Sequence, residues 1–153
     1  MDPKTTERGR TLLIVEDDVL PAMALRDELE DAGYRVLDLT GRHQEALAAA
    51  RADKPDLALV NIQLHGHDDG IALAGDLKAL GIPTLYISGQ VNRPRSADTV
   101  AIGSLPKPYS TLDMVLAVNY LLAHLKGDES LPRPAALQVF EPSPDAAPAP
   151  DLV

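Results

Sequence analysis

The stretch Thr11-Leu12-Leu13-Ile14-Val15 is unbroken by charge and rich in branched side chains. A strand exposed on one face alternates apolar and polar residues. A strand with no alternation is buried on both faces, as in a parallel sheet covered by helices on either side. Comparable runs recur at 57–60 and 83–88, and a shorter one at 101–105. Between them lie segments with apolar residues at helical spacing. Residues 19–32 form the first, with Pro21 tolerated in the opening turn and Gly33 as the stop. A more polar strand of edge character is expected at 34–39. An alanine-rich helix at 42–52 ends at the Asp53-Lys54-Pro55 break. Further helices are expected at 70–80, closed by Gly81, and at 111–126, with a weakly helical stretch at 94–101.

This alternation predicts an α/β fold of repeated strand–helix units. Five such units in about 120 residues suggest a doubly wound, five-stranded parallel sheet with five helices, its flavodoxin-like order 2-1-3-4-5 taken by analogy. The predicted organisation is an N-terminal extension at 1–10, a folded domain at 11–126 and a tail at 127–153. Six of the 13 prolines fall between Pro132 and Pro150. A segment of that composition buries too little surface to fold alone and reads as a flexible acidic tail. Its exception is Ala136-Leu137-Gln138-Val139-Phe140, which holds the only phenylalanine. The alternative reading docks this pentapeptide on a sheet edge or groove, its own or a partner's.

Charge and composition exclude several functions. The formal net charge of −9 opposes direct binding to a nucleic-acid backbone. No apolar run reaches the roughly 18 residues of a membrane span, and the N-terminal residues lack the apolar core of a secretory signal. With no cysteine there are no disulfides or thiolate metal sites, and a cytoplasmic location is the expectation.

In an open parallel sheet, functional groups gather beyond the carboxyl ends of the strands. Here the first strand runs into Glu16-Asp17-Asp18, the third ends at Asn61, the fourth at Ser88 followed by Gly89, and the fifth leads to Lys107-Pro108. All four positions fall on one rim. Crowded carboxylates there call for a cation, and Mg²⁺, which takes a few carboxylates plus water and phosphate oxygens, suits them. His65 and His67, with no third ligand fixed in the sequence, read as exposed loop histidines. His43 and His124 sit near helix ends, where histidine is commonplace. The last helix has an apolar arc wider than one sheet contact requires, from Met114 to Leu125.

Leu13-Ile14-Val15-Glu16-Asp17-Asp18, Ser88-Gly89 and Lys107-Pro108, spread over residues 11–126, together resemble the receiver domain of two-component response regulators. The resemblance implies an acidic pair at Glu16 and Asp17, a metal site of Glu16, Asp17 and residue 61, a hydroxyl at Ser88 that bonds a phosphoryl oxygen, and a lysine at Lys107. It also implies a cis peptide at Lys107-Pro108. Asn61 occupies the phosphoacceptor position, where the family carries aspartate. Phosphoryl transfer requires an anionic oxygen nucleophile, which a carboxamide lacks. Asn61 also removes one negative charge, so the Mg²⁺ site is weakened or lost. A second departure is Ser104, three residues before the lysine, where many members carry an aromatic switch; Tyr86 and Tyr109 are the candidates to take over that role.

The leading expectation is a single-domain, non-enzymatic response regulator acting through protein contacts and unable to accept phosphate. Its implied partners are a sensor histidine kinase or phosphotransfer protein and a downstream protein, with a homodimer through the last helix also in view. Asn61 fits equally a laboratory Asp→Asn change in a normally phosphorylated regulator. The competing class is a Mg²⁺-dependent enzyme or nucleotide-binding protein on the same fold. Against it, no Gly-rich phosphate loop follows the first strand.

Overall fold

The computed structural model describes residues 9–62, 69–89 and 99–140. In chain order they form β1 (Thr11–Val15), α1 (Val19–Asp31), β2 (Arg35–Val36), α2 (His43–Ala52), β3 (Leu57–Asn61), α3 (Gly70–Ala79), β4 (Thr84–Ser88), β5 (Gly103–Pro106), α4 (Thr111–Leu125) and β6 (Gln138–Val139). The sheet has the order β2-β1-β3-β4-β5-β6. Its first five strands run parallel, and β6 is antiparallel to β5.

The unbroken apolar runs are buried on both faces, as their composition requires. Leu12 and Ile14 of β1 face a core shared with Leu25 and Leu29 of α1 and with Val118, Leu121 and Leu122 of α4. Leu13 and Val15 point the other way, toward Leu47 of α2 and Leu73 and Leu77 of α3. The period of two along the strand therefore feeds two separate helix layers. Gly33, at φ 105°, turns the chain out of α1 in a conformation that costs a side-chain-bearing residue energy. Asp69 caps α3 by accepting from the Ile71 N–H at 2.9 Å, and Ser110 and Asp113 form a reciprocal capping box at the start of α4.

Three expectations change. Among the described residues the sheet has six strands, because Gln138 and Val139 add to the outer edge of β5 with the register Gly103↔Val139 and Ser104↔Gln138. The tail is therefore docked as far as Phe140. Leu137 is buried in the main core, and the Phe140 N–H donates to the Ile102 carbonyl at 3.0 Å. The second strand is shorter than 34–39. It pairs only through Arg35 and Val36, and the chain meets β1 again in an isolated bridge between Val15 and Thr40. Four helices stand among the described residues instead of five. The stretch expected to be weakly helical at 94–101 lies mostly outside them, as do His65 and His67.

Candidate functional site

Parallel pairing carries the ends of β1, β3, β4 and β5 to one rim. The register sets Asn61 opposite Ile87 and Ser88 opposite Pro106. Glu16 follows β1 directly, and its backbone N–H donates to the Thr40 carbonyl at 2.9 Å. Its side chain is only 2% exposed. A buried carboxylate needs donors; two groups bond it and one cation stands nearby. The Asn61 amide nitrogen lies 3.1 Å from both Glu16 oxygens. The Asp18 N–H donates to Oε2 at 3.0 Å. The Lys107 ammonium stands 4.0 Å from Oε1.

Beside a carboxylate the amide must present its NH₂ end, since its carbonyl oxygen would be repelled. Asn61 thus acts as a donor to Glu16, with its own side chain buried at the end of β3. Gly70 packs beneath it: a Cβ there would fall 2.3 Å from the Asn61 carbonyl oxygen. The start of α3 can therefore approach β3 closely only without a side chain.

Ser88 is buried at the end of β4, and its carbonyl accepts from the Lys107 N–H at 2.8 Å. The Lys107 stem runs past Gly89, where a Cβ would lie 3.7 Å from the lysine Cδ. The Lys107-Pro108 peptide is cis. Asp17 is half-buried and Asp18 exposed. Beside them opens a groove of about 410 Å³ lined by Glu16, Asp17, Thr40, Arg42 and Glu45 among others.

Tyr109 belongs to the same electrostatic neighbourhood. Burial, and secondarily the negative charge of Glu16, push its phenol up to about 12. Tyr109 follows Pro108 directly and is partly buried against the main core. Gly41, which sequence reasoning passed over, packs so tightly that a Cβ would meet the Asp17 backbone at 2.7 Å.

The donor set tests the expected cation. Among the described residues no three histidine or acidic side chains are grouped so as to hold a metal. The Glu16 oxygens face hydrogen-bond donors, and the nearest Asn61 atom is its amide nitrogen, which is not a metal ligand. Glu16 and Asp17 carry the carboxylates that would hold Mg²⁺ here, and the Asn61 carbonyl oxygen would join them only with the amide turned over and its bond to Glu16 released. The remaining histidines make local ties: His43 to Asp76 of α3 at 2.7 Å, and His124 to Glu129 at 2.5 Å. No helix among the described residues is long and apolar enough to cross a membrane.

Comparisons with known proteins agree with this architecture. The chain is 30% identical over 121 residues to the transcriptional regulatory protein PdtaR of Mycobacterium tuberculosis, covering 76% of this chain and 58% of that protein. It is also 30% identical over 124 residues to the uncharacterized transcriptional regulatory protein YbdJ of Bacillus subtilis, covering 78% and 54%. It thus spans a little over half the length of these curated relatives. Among solved structures, the signal receiver domain of a modulated diguanylate cyclase from Desulfovibrio desulfuricans matches with a TM-score of 0.65 at 34% identity, over 77% of this chain and 95% of that one. A putative response regulator from Chloroflexus aurantiacus matches with a TM-score of 0.65 at 30% identity, over 76% and 99%. Residues 12–119 match the family model of the response regulator receiver domain, and with strand order, rim and relatives in agreement, the chain belongs to that family.

Proposed function

We propose that this chain is a two-component signalling receiver in which residue 61 stands at the phosphoacceptor position and takes no phosphoryl group. The observation that carries the reading is the Asn61 amide donating to Glu16 at the rim. An amide engaged this way offers no anionic oxygen to a phosphorus centre, and it supplies the acidic pocket with the hydrogen-bond donors that a cation would otherwise replace. Receivers generally bind Mg²⁺ at this rim; here the ion is held weakly or not at all. In this reading Ser88 and Lys107 supply the hydroxyl and the ammonium of the phosphate site.

The proposed action is protein–protein contact, with a sensor histidine kinase or phosphotransfer protein on one side and a downstream protein on the other. Exposed apolar side chains support it: Val19, Leu20 and Met23 open α1 beside the acidic rim, and Leu112 and Leu116 lie on one face of α4. The same α4 residues are the surface left for a homodimer through the last helix. The acidic balance argues against DNA as a direct partner of this domain, and no reaction is assigned to it.

Intact-mass measurement after incubation with Mg²⁺ and acetyl phosphate tests the reading, on this chain and on Asn61→Asp. A single phosphoryl gain in Asn61→Asp alone is the expected result and places the block at residue 61. A gain in the chain as it stands would overturn the proposal. No gain in either would limit the protein to binding.

A further inference from the structure

Phe140 joins a small core that also reaches the residue after Asn61. Its ring meets Tyr86 with centroids 6.3 Å apart and planes inclined by 59°. Tyr86 is fully buried and belongs to an apolar cluster with Ile62, Ala74 and Ala101, against which Ile71, Val100 and Phe140 pack. This cluster is separate from the two that cover the faces of β1. Ile62 follows Asn61 directly. Its N–H donates to the Ile87 carbonyl at 3.1 Å, and its carbonyl accepts from the Gly70 N–H at 3.1 Å. A Cβ at Gly70 would fall 2.8 Å from the Ile62 Cα. The backbone at residues 61–62 is thus clasped between β4 and the start of α3, and its next side chain enters the third cluster.

That cluster is thinly built. Of its buried members among the described residues, only Ile62 and Tyr86 are larger than alanine, and Ser104, beside Tyr86 in the sheet register, is small as well. A close-packed interior answers lost volume by shifting or opening, and a small cluster has few other contacts to absorb the loss. The strap of residues 128–140 is held elsewhere by other means. Glu129 meets His124, Arg133 lies over the Tyr120 ring at 5.8 Å, and Leu131 and Leu137 pack in the main core. Its ladder with β5 covers only Gly103 and Ser104, so residues 137–140 form a short unit of the kind that opens locally. The end of the strap is therefore tied on one face to the main core and on the other to the cluster that Ile62 shares.

We propose that Phe140 couples the strap to the rim: docking of residues 137–140 and ordering of residues 61–62 favour each other through the cluster around Tyr86. The strap is then a built-in readout of the rim, and whatever engages residue 61 changes how firmly residues 137–140 lie on β5. Such coupling is reciprocal. The factor by which undocking weakens the clasp at residue 62 equals the factor by which loosening residue 62 frees the strap. The coupling is independent of whether residue 61 takes a phosphoryl group.

Native-state hydrogen exchange on the full chain tests it at three amides. Gly70, bonded to the Ile62 carbonyl, reports the rim, and Phe140, bonded to the Ile102 carbonyl at 3.0 Å, reports the strap. Leu37, bonded to the Leu12 carbonyl at 3.0 Å near the opposite edge of the sheet, is the control. Phe140→Ala empties the cluster from the strap side and keeps the N–H. Leu137→Ala loosens the strap from the main-core face, and Ile62→Val trims the cluster from the rim side. Phe140→Ala and Leu137→Ala are each expected to speed exchange at Gly70 by about tenfold, and Ile62→Val to speed it at Phe140, with Leu37 unchanged. Unchanged exchange at Gly70 in folded Leu137→Ala would overturn the proposal. So would acceleration at Leu37 equal to that at Gly70, since the variants would then act on the whole fold. Should Phe140→Ala fail to fold, the other two variants decide. Unfolding of all three would also overturn the proposal, because strap and rim would then be parts of one indivisible core.

Discussion

The Asn61 amide nitrogen lies 3.1 Å from each carboxylate oxygen of Glu16, across 45 residues of chain. This contact joins β3 to the residue following β1 and supplies the buried carboxylate with a neutral donor. Replacing the amide by a carboxylate sets two acids against each other in a buried place. Asn61→Asp is expected to destabilise the metal-free protein by about 1–3 kcal/mol and to regain stability in millimolar Mg²⁺. The unaltered chain should melt at the same temperature with and without Mg²⁺. Thermal melts of both proteins check this, and Mg²⁺ stabilisation of the unaltered chain would contradict the assigned amide role.

Glu16 and Lys107 are partners of unequal weight. Glu16→Ala removes the acceptor of the buried Asn61 NH₂, and a cost of about 1–3 kcal/mol is expected. Lys107 is 39% exposed and 4.0 Å away, so Lys107→Ala should cost less than about 1 kcal/mol. Urea denaturation of the two variants gives the comparison; equal losses would overturn the assigned inequality.

Tyr109 should titrate above the ordinary phenol range. Its phenol is raised from 10.0 to about 12, mainly by burial and then by the Glu16 charge. The folded state therefore keeps a proton that the unfolded chain releases first. Stability linked to this group is present below pH 10 and is lost as pH rises from about 10 to about 12. Absorbance titration should show a high-pH step missing in Tyr109→Phe. Glu16→Gln should move that step down while leaving it above the ordinary phenol value, because burial is the larger cause.

Leu137 measures how firmly the strap is docked. Its side chain is 4% exposed within the main core. Leu137→Ala should cost about 2 kcal/mol, less where the strap detaches instead of leaving a cavity. Leu131, only partly buried, should cost less on the same change. A Leu137→Ala variant as stable as the unaltered chain would mean that the strap contributes nothing to the fold.

The strand and helix positions were legible because periodicity is a local property: Leu12, Ile14, Leu13 and Val15 announce two covered faces without reference to any distant residue. The rim was legible too, since parallel strands must end on the same side, and the cis Lys107-Pro108 bond agrees with the family resemblance. The edges were not. Arg35–Val36 and Gln138–Val139 are two-residue strands, too short to carry a periodic signal, and they exist because β1 and β5 offer unpaired edges beside them. The sequence alone sets an amide and not an acid at residue 61, and the proposed loss of nucleophilic chemistry rests on that. Only the tertiary structure decided what that amide does instead, because its orientation depends on which atoms of Glu16, Asp18 and Lys107 the sheet brings within hydrogen-bonding and electrostatic range.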